Sequence, residues 1–122
     1  MITEMLAAGA GSFLGGSARY LISVLLKNAS QGFPLATLLV NLAGSFIIGL
    51  AWGWAARPGG MSPVLNVFLT AGICGGFTTF STFSRENLLL LQQGNWGLAL
   101  LYVLLSLLGG LAAVAGGYAL AR

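Results

Sequence analysis

Charged and metal-binding side chains are the residues that this chain has least of. Only 6% of its 122 residues are charged, histidine and aspartate are absent, and the single cysteine is Cys74. One cysteine excludes an intramolecular disulfide, and the lack of His, Asp and Cys clusters excludes a zinc or iron site of the usual spacing. A soluble domain carries about 25% charged residues, so this chain lacks the polar surface that a water-soluble fold needs.

The same scarcity argues against catalysis and against nucleic-acid binding. No nucleophile stands near a general base, and Glu86 follows Arg85 directly, which favours an ion pair over a catalytic acid. We therefore predict that the protein is not an enzyme. The isoelectric point near 9.6 arises from five basic and two acidic residues, too few to form a basic surface for nucleic acid.

The chain has four long apolar stretches instead. It is 57% hydrophobic, with a mean hydropathy of +0.93. Polar breaks at 27–32, 57–63 and 92–95 separate the stretches 5–26, 33–56, 64–91 and 96–121. Each exceeds the ~20 residues that a helix needs to cross a bilayer, and barrel strands would be shorter and alternating. Because lipid offers the backbone no partners, we predict an all-α membrane protein: a single domain over 1–122 with four transmembrane helices.

Basic residues are spread almost evenly between the two sides of the predicted bundle. Arg57 and Arg122 lie on one side, and Arg19, Lys27 and Arg85 lie on the other. Orientation normally follows a clear Lys/Arg excess on the cytoplasmic side. A count of two against three leaves two possibilities open, insertion in both orientations or in only one. Insertion in both would allow an antiparallel homodimer, which supplies an inverted symmetry that one four-helix chain cannot contain.

Polar residues share one face of the second predicted helix. Thr37, Asn41 and Ser45 recur every four residues. An unpaired Asn41 amide in lipid would cost several kcal/mol, so it must face another helix or water. Two interpretations remain, an interhelical hydrogen bond or a pathway in which its NH₂ donates to an anion. For Tyr102 and Ser106, four residues apart on the fourth helix, hydrogen bonding between helices is the simpler interpretation.

The third stretch combines glycine, hydroxyl and aromatic residues. Gly75-Gly76 is followed by Thr78 and Thr79, and we predict that the helix breaks at the glycine pair near the bilayer midplane. A break frees backbone groups, which is tolerated only inside protein or beside water and often marks an ion site; a plain packing kink is the alternative. The usual role of aromatic rings spaced like those of Phe77, Phe80 and Phe83 is packing. Their positive edges could also attract an anion.

At these residues the sequence resembles the Fluc (CrcB) family of fluoride channels. The resemblance lies in 15–20 (GGSARY), 37–46 (TLLVNLAGSF) and, most specifically, 75–83 (GGFTTFSTF). It implies a fluoride-selective passive channel that exports fluoride across the bacterial inner membrane and relieves fluoride toxicity. It also implies an antiparallel, dual-topology homodimer with two separate pores. The residues alone indicate only a pathway for a small ion or solute, and fluoride rather than chloride comes from the resemblance.

The resemblance further implies roles for individual residues. Asn41 would line the pore, and Phe80 and Phe83 would present ring edges to fluoride. Arg19 would be a vestibule or structural residue. In helix 4 some relatives carry a second hydroxyl where this chain has Gly110. Further lining residues would be Thr79, Ser81, Thr82, Glu86, Tyr102 and Ser106, and a structural sodium ion at the dimer centre would be held by the backbone carbonyls of Gly75 and Thr78.

Two other classes of membrane protein remain as alternatives at this stage. A small multidrug antiporter also has four helices and dual topology, but it would need a membrane-embedded carboxylate in the first helix. Glu4 stands at the very start of that helix, and Ala7, Ala8 and Ser12 follow. The other alternative is a structural membrane subunit without transport activity.

Overall fold

The computed structural model describes all 122 residues, and every regular element is helical. The all-helical prediction is therefore confirmed. Four consecutive elements form a discontinuous third rod, Pro63–Gln92, so that the chain forms four rods. The elements are α1 (Ile2–Leu25), α2 (Leu35–Ala55), α3 (Pro63–Val67), a π-helical segment (Phe68–Cys74), α4 (Gly75–Phe77), α5 (Phe80–Gln92) and α6 (Trp96–Ala121).

Glycines with left-handed backbone lie in the three polar breaks between the rods. Gly32, Gly59 and Gly94 have φ values of 83°, 77° and 79°, a region that residues with a Cβ rarely adopt. After α5, the Gly94 N–H donates to the Leu91 carbonyl and the Asn95 N–H to the Leu90 carbonyl. These bonds satisfy carbonyls at the end of the helix, and the chain can then turn into α6.

Three of the rods are long and apolar enough to cross a membrane: Leu35–Ala55, Pro63–Gln92 and Trp96–Ala121. Helix α1 has 24 residues, sufficient in length, but it is less apolar because it contains Glu4, Arg19 and several small residues. Only 17 of 122 residues are buried in the chain. Large exposed apolar side chains such as Leu108 and Leu111 cover the outside, a surface that suits lipid or a partner and not water.

Glycines bring the rods into backbone contact in two pairs. In α1, a Cβ on Gly11 would lie 2.5 Å from the Phe68 carbonyl oxygen, and one on Gly15 would overlap that of Ile73. In α2, a Cβ on Gly49 would overlap the Val114 carbonyl of α6. Small residues permit this close approach of membrane helices. The α1–third rod pair and the α2–α6 pair therefore form the frame of the molecule.

The third rod is interrupted, but the predicted position of the interruption was wrong. Gly75 is helical, with φ −62° and ψ −38°, whereas Thr78 and Thr79 are extended, with ψ values of 160° and 123°. The glycine pair serves packing instead, because a Cβ on Gly76 would lie 2.7 Å from the Ser12 carbonyl oxygen of α1. The helix ends at Phe77, one residue after Gly75-Gly76, and the Asn41 side chain binds the backbone freed at Thr79.

Candidate functional site

A cleft of about 350 Å³ opens where the interrupted rod meets α2 and α6. Amide, hydroxyl and aromatic groups line it together with small and apolar residues, and no charged residue lies in its wall. The cleft therefore offers hydrogen-bond donors without a fixed charge. Its lining residues are Asn41, Gly44, Ser45, Ile48, Thr70, Cys74, Gly75, Thr78, Thr79, Phe80, Phe83, Ser106 and Leu107.

Asn41 binds the backbone at the interruption. Its Oδ1 accepts from the Thr79 N–H at 2.8 Å, and its Nδ2 donates to the Thr79 carbonyl at 3.1 Å. Both open interpretations of the sequence thus apply to one side chain, because Asn41 makes an inter-helix hydrogen bond and also lines the cleft. One of its two N–H donors is left for a ligand.

Two carbonyl groups at the interruption lack the donors that a continuous helix would supply. In an α-helix, each carbonyl accepts from the N–H four residues ahead. The Thr79 N–H, which would serve Gly75, donates to Asn41 instead. The Thr82 N–H, which would serve Thr78, donates to the Thr79 hydroxyl at 3.2 Å. Two backbone oxygens are thereby available for a hard cation, and no group of three His, Cys, Asp or Glu residues offers another metal site.

The aromatic residues form a row that ends in the cleft. Tyr102 is fully buried, and its ring centroid lies 5.6 Å from Phe33 and 4.9 Å from Phe83. Phe83 lies 6.0 Å from Phe80, whose side chain is 79% exposed. Phe83 is therefore held by packing, whereas little in this chain covers Phe80.

The two charged candidates have partners that sequence reasoning did not identify. The Tyr102 hydroxyl donates to Glu86 Oε1 at 2.9 Å, so the predicted Glu86–Arg85 ion pair was wrong. The one ion pair of the chain joins the N-terminal amine to Glu4. Arg19 Nε donates to the Gly76 carbonyl at 3.0 Å, and a cation near the C-terminal end of a helix is favoured by the helix dipole.

The other predicted residues divide into two groups. Ser106 lines the cleft, and its Oγ is enclosed without a hydrogen-bond partner. Four predicted pore residues are not among those that line the cleft: Ser81, Thr82, Glu86 and Tyr102. Ser81 is exposed, while Thr82 is half-buried. Sequence reasoning missed Thr70 and Cys74, although Thr70, Cys74 and Thr78 recur every four residues and so share a helix face.

Known proteins resemble this chain over nearly its whole length. The family model described as "CrcB-like protein, Camphor Resistance (CrcB)" matches residues 6–118. Curated proteins named fluoride-specific ion channel FluC, from Escherichia coli O139:H28 and from Shigella boydii serotype 18, are 46% identical over 115 residues. The protein of the same name from Escherichia fergusonii is 45% identical. In each comparison the match covers 94% of this chain and 91% of the relative.

Proposed function

This chain belongs to the CrcB family of fluoride channels, and from that membership we propose how its own residues conduct fluoride. It is a passive channel and not an enzyme. The neutral, donor-lined cleft at Thr78–Thr79 is the observation that carries the proposal, because fluoride must exchange its tightly held water for donors that also release it. A lysine or arginine in the wall would bind the anion too firmly, and the wall has neither.

Fluoride would pass the Asn41 amide, the Ser106 hydroxyl and the edges of Phe80 and Phe83. Asn41 has one N–H without a protein acceptor, and Ser106 Oγ has no protein partner, so each has an unused hydrogen bond to donate to an anion. Thr79 uses its hydroxyl to cap α5 and would act through its position. Ser81, Thr82, Glu86 and Tyr102 would continue the path beyond the cleft, where the Glu86–Tyr102 bond supplies a polar wall. Arg19 would hold the C-terminal end of α4 through Gly76.

The functional unit would be an antiparallel homodimer of a single four-helix transmembrane domain over residues 1–122. Support comes from the balanced charge count and from Phe80, which lies in the cleft wall yet is 79% exposed. A second copy would cover this ring and complete the wall. In the bacterial inner membrane, the channel would let fluoride leave the cell and so relieve its toxicity, with α1 as the fourth crossing.

A structural sodium ion would join the two copies at the dimer centre. The carbonyls of Gly75 and Thr78 fit such an ion, because both have lost their helical donors, and the dimer would enclose these oxygens where they need a partner. All-oxygen ligation without a nearby carboxylate suits a monovalent hard cation better than a divalent one. The positive charge of the ion would attract carbonyl oxygens of both copies and so hold the two interrupted rods together.

Fluoride efflux from liposomes of the purified protein tests the function. Vesicles loaded with fluoride are diluted into fluoride-free buffer, the potential is clamped with valinomycin and potassium, and an electrode follows the released ion. We expect rapid fluoride efflux, slow chloride efflux, and no dependence on a proton gradient. Efflux no faster than from protein-free vesicles, or strict coupling to protons, would contradict a passive channel.

A further inference from the structure

Ser45 lines the cleft, and its hydroxyl makes no hydrogen bond within the protein. It lies one helical turn beyond Asn41 on the same face of α2 and lines the same cleft. A serine in a helix can satisfy itself by donating to the carbonyl four residues back. Ser45 makes neither that bond nor any other side-chain hydrogen bond of the structure.

Opposite Ser45, helix α6 presents a residue without a side chain. A Cβ placed on Gly110 would lie 3.5 Å from Ser45 Oγ and would meet no other atom within 4 Å. The space between α2 and α6 at this level is therefore open, and Ser45 supplies the hydroxyl that borders it. One turn earlier on α6, Ser106 Oγ is enclosed and has no protein partner.

Two unpartnered hydroxyls in one cleft indicate a ligand that accepts hydrogen bonds. Leaving an enclosed hydroxyl without a partner costs free energy, so water or an anion that accepts its hydrogen bond would stabilise this part of the cleft. Farther along the same α2 face, Gly49 packs against the backbone of Val114. The open space is thus limited on that side by helix contact, and Ser45 is the last polar residue of the face before it closes.

We propose that Ser45 Oγ and Ser106 Oγ form a two-hydroxyl binding site for the permeating anion, with Ser45 donating from α2 across the space left by Gly110. This inference rests on the proposed fluoride conduction and adds a selectivity residue to it. A hydroxyl donor favours fluoride over larger halides, because the small ion accepts the shorter and stronger hydrogen bond. Ser45 donates without a charge, so it would not retain the anion as a lysine or arginine would.

Moving the hydroxyl from α2 to α6 tests the proposal. Fluoride efflux from liposomes is compared for the wild type, Ser45→Ala, Ser45→Ala/Gly110→Ser and Ser45→Ala/Gly110→Ala. Gly110→Ser has room to fold, since the added Cβ would lie at an ordinary contact distance. Ser23→Ala is the matched control, because Ser23 is exposed and its hydroxyl donates only to Tyr20 of its own helix.

We expect Ser45→Ala to lower efflux about tenfold, the loss of one hydrogen bond to an ion, and to raise the half-saturating fluoride concentration. Its melting temperature should match that of Ser23→Ala. The variant with Gly110→Ser should regain much of the efflux, and the variant with Gly110→Ala should not. Wild-type efflux in Ser45→Ala, or equal rescue by serine and alanine, would overturn the proposal. A wild-type protein without fluoride efflux would refute the proposed function itself.

Discussion

The side-chain amide of Asn41 pairs with both backbone groups of Thr79, 38 residues away in the sequence. The pairing replaces the two hydrogen bonds that Thr79 loses when the third rod is interrupted. An amide can do this because it carries a donor and an acceptor side by side. The interruption therefore depends on α2, and the position of Phe80, the next residue, depends on Asn41.

Asn41→Asp should abolish most fluoride efflux and destabilise the protein. The aspartate keeps an acceptor for the Thr79 N–H, but it sets a carboxylate oxygen against the Thr79 carbonyl and repels an entering anion. The unpaired carbonyl should lower the free energy of unfolding by about 1–3 kcal/mol, measured as a lower melting temperature in detergent. Asn95→Asp is the control, since Asn95 is exposed and lies in a loop. Wild-type efflux in Asn41→Asp would argue against both roles.

Phe80→Ile and Phe83→Ile should both impair efflux, but only the second should clearly affect packing. Isoleucine keeps much of the apolar volume and removes the ring edge. Phe83 also packs on Tyr102 with centroids 4.9 Å apart, a contact worth about 0.5–1.5 kcal/mol. Efflux and melting temperature are measured together, with Phe13→Ile on the exposed surface of α1 as control. Normal efflux with a lower melting temperature in both variants would favour a packing role alone.

Gly15→Ala should disrupt the contact between α1 and the third rod. Its Cβ would overlap the Ile73 carbonyl oxygen and lie 2.9 Å from the Phe77 nitrogen, and backbone atoms cannot rotate away. We expect destabilisation of about 1–3 kcal/mol. Gly9→Ala is the control in the same helix, because its Cβ meets nothing within 4 Å and alanine favours the helix by about 0.5–1 kcal/mol. Equal melting temperatures for the two variants would refute the close packing.

Labelling of a cysteine in the first loop should reveal both orientations in the membrane. Gln31→Cys suits this test because Gln31 is exposed, whereas the neighbouring Ser30 hydroxyl accepts a hydrogen bond from the Ala36 N–H at 3.0 Å. The native Cys74 is buried and should give little background. An impermeant maleimide should label one fraction from each side. Ala29→Lys should shift the two fractions, since orientation follows local basic charge; labelling from one side only would exclude dual topology.

Removal of sodium should weaken the dimer. Prolonged dialysis against sodium-free N-methylglucamine buffer removes the sodium ion that we propose is bound by the Gly75 and Thr78 carbonyls. The dimer fraction, measured by size-exclusion chromatography with light scattering, should then fall, and sodium should restore it. Dialysis of a parallel sample against sodium-containing buffer controls for ageing. A dimer that stays unchanged without sodium over days would mean that water serves these carbonyls.

Much of the architecture follows from composition along the chain. Four apolar stretches separated by short polar breaks predicted the helical rods, because a bilayer forces each crossing segment to satisfy its backbone internally. The residues 75–83 predicted an interruption and, by resemblance, the family. Segment length, hydropathy and residue order are local properties of the sequence. They do not depend on which residues the fold later brings into contact.

The partners at the interruption were decided only by tertiary structure. Gly75-Gly76 was expected to break the helix, yet Gly76 permits contact with α1, and the interruption lies at Thr78–Thr79 where Asn41 binds. Likewise Glu86 pairs with Tyr102 of α6 and not with the adjacent Arg85. A glycine in a sequence does not disclose whether its flexibility or its small size is used. A polar side chain does not disclose which distant donor it meets, because that depends on how the helices pack.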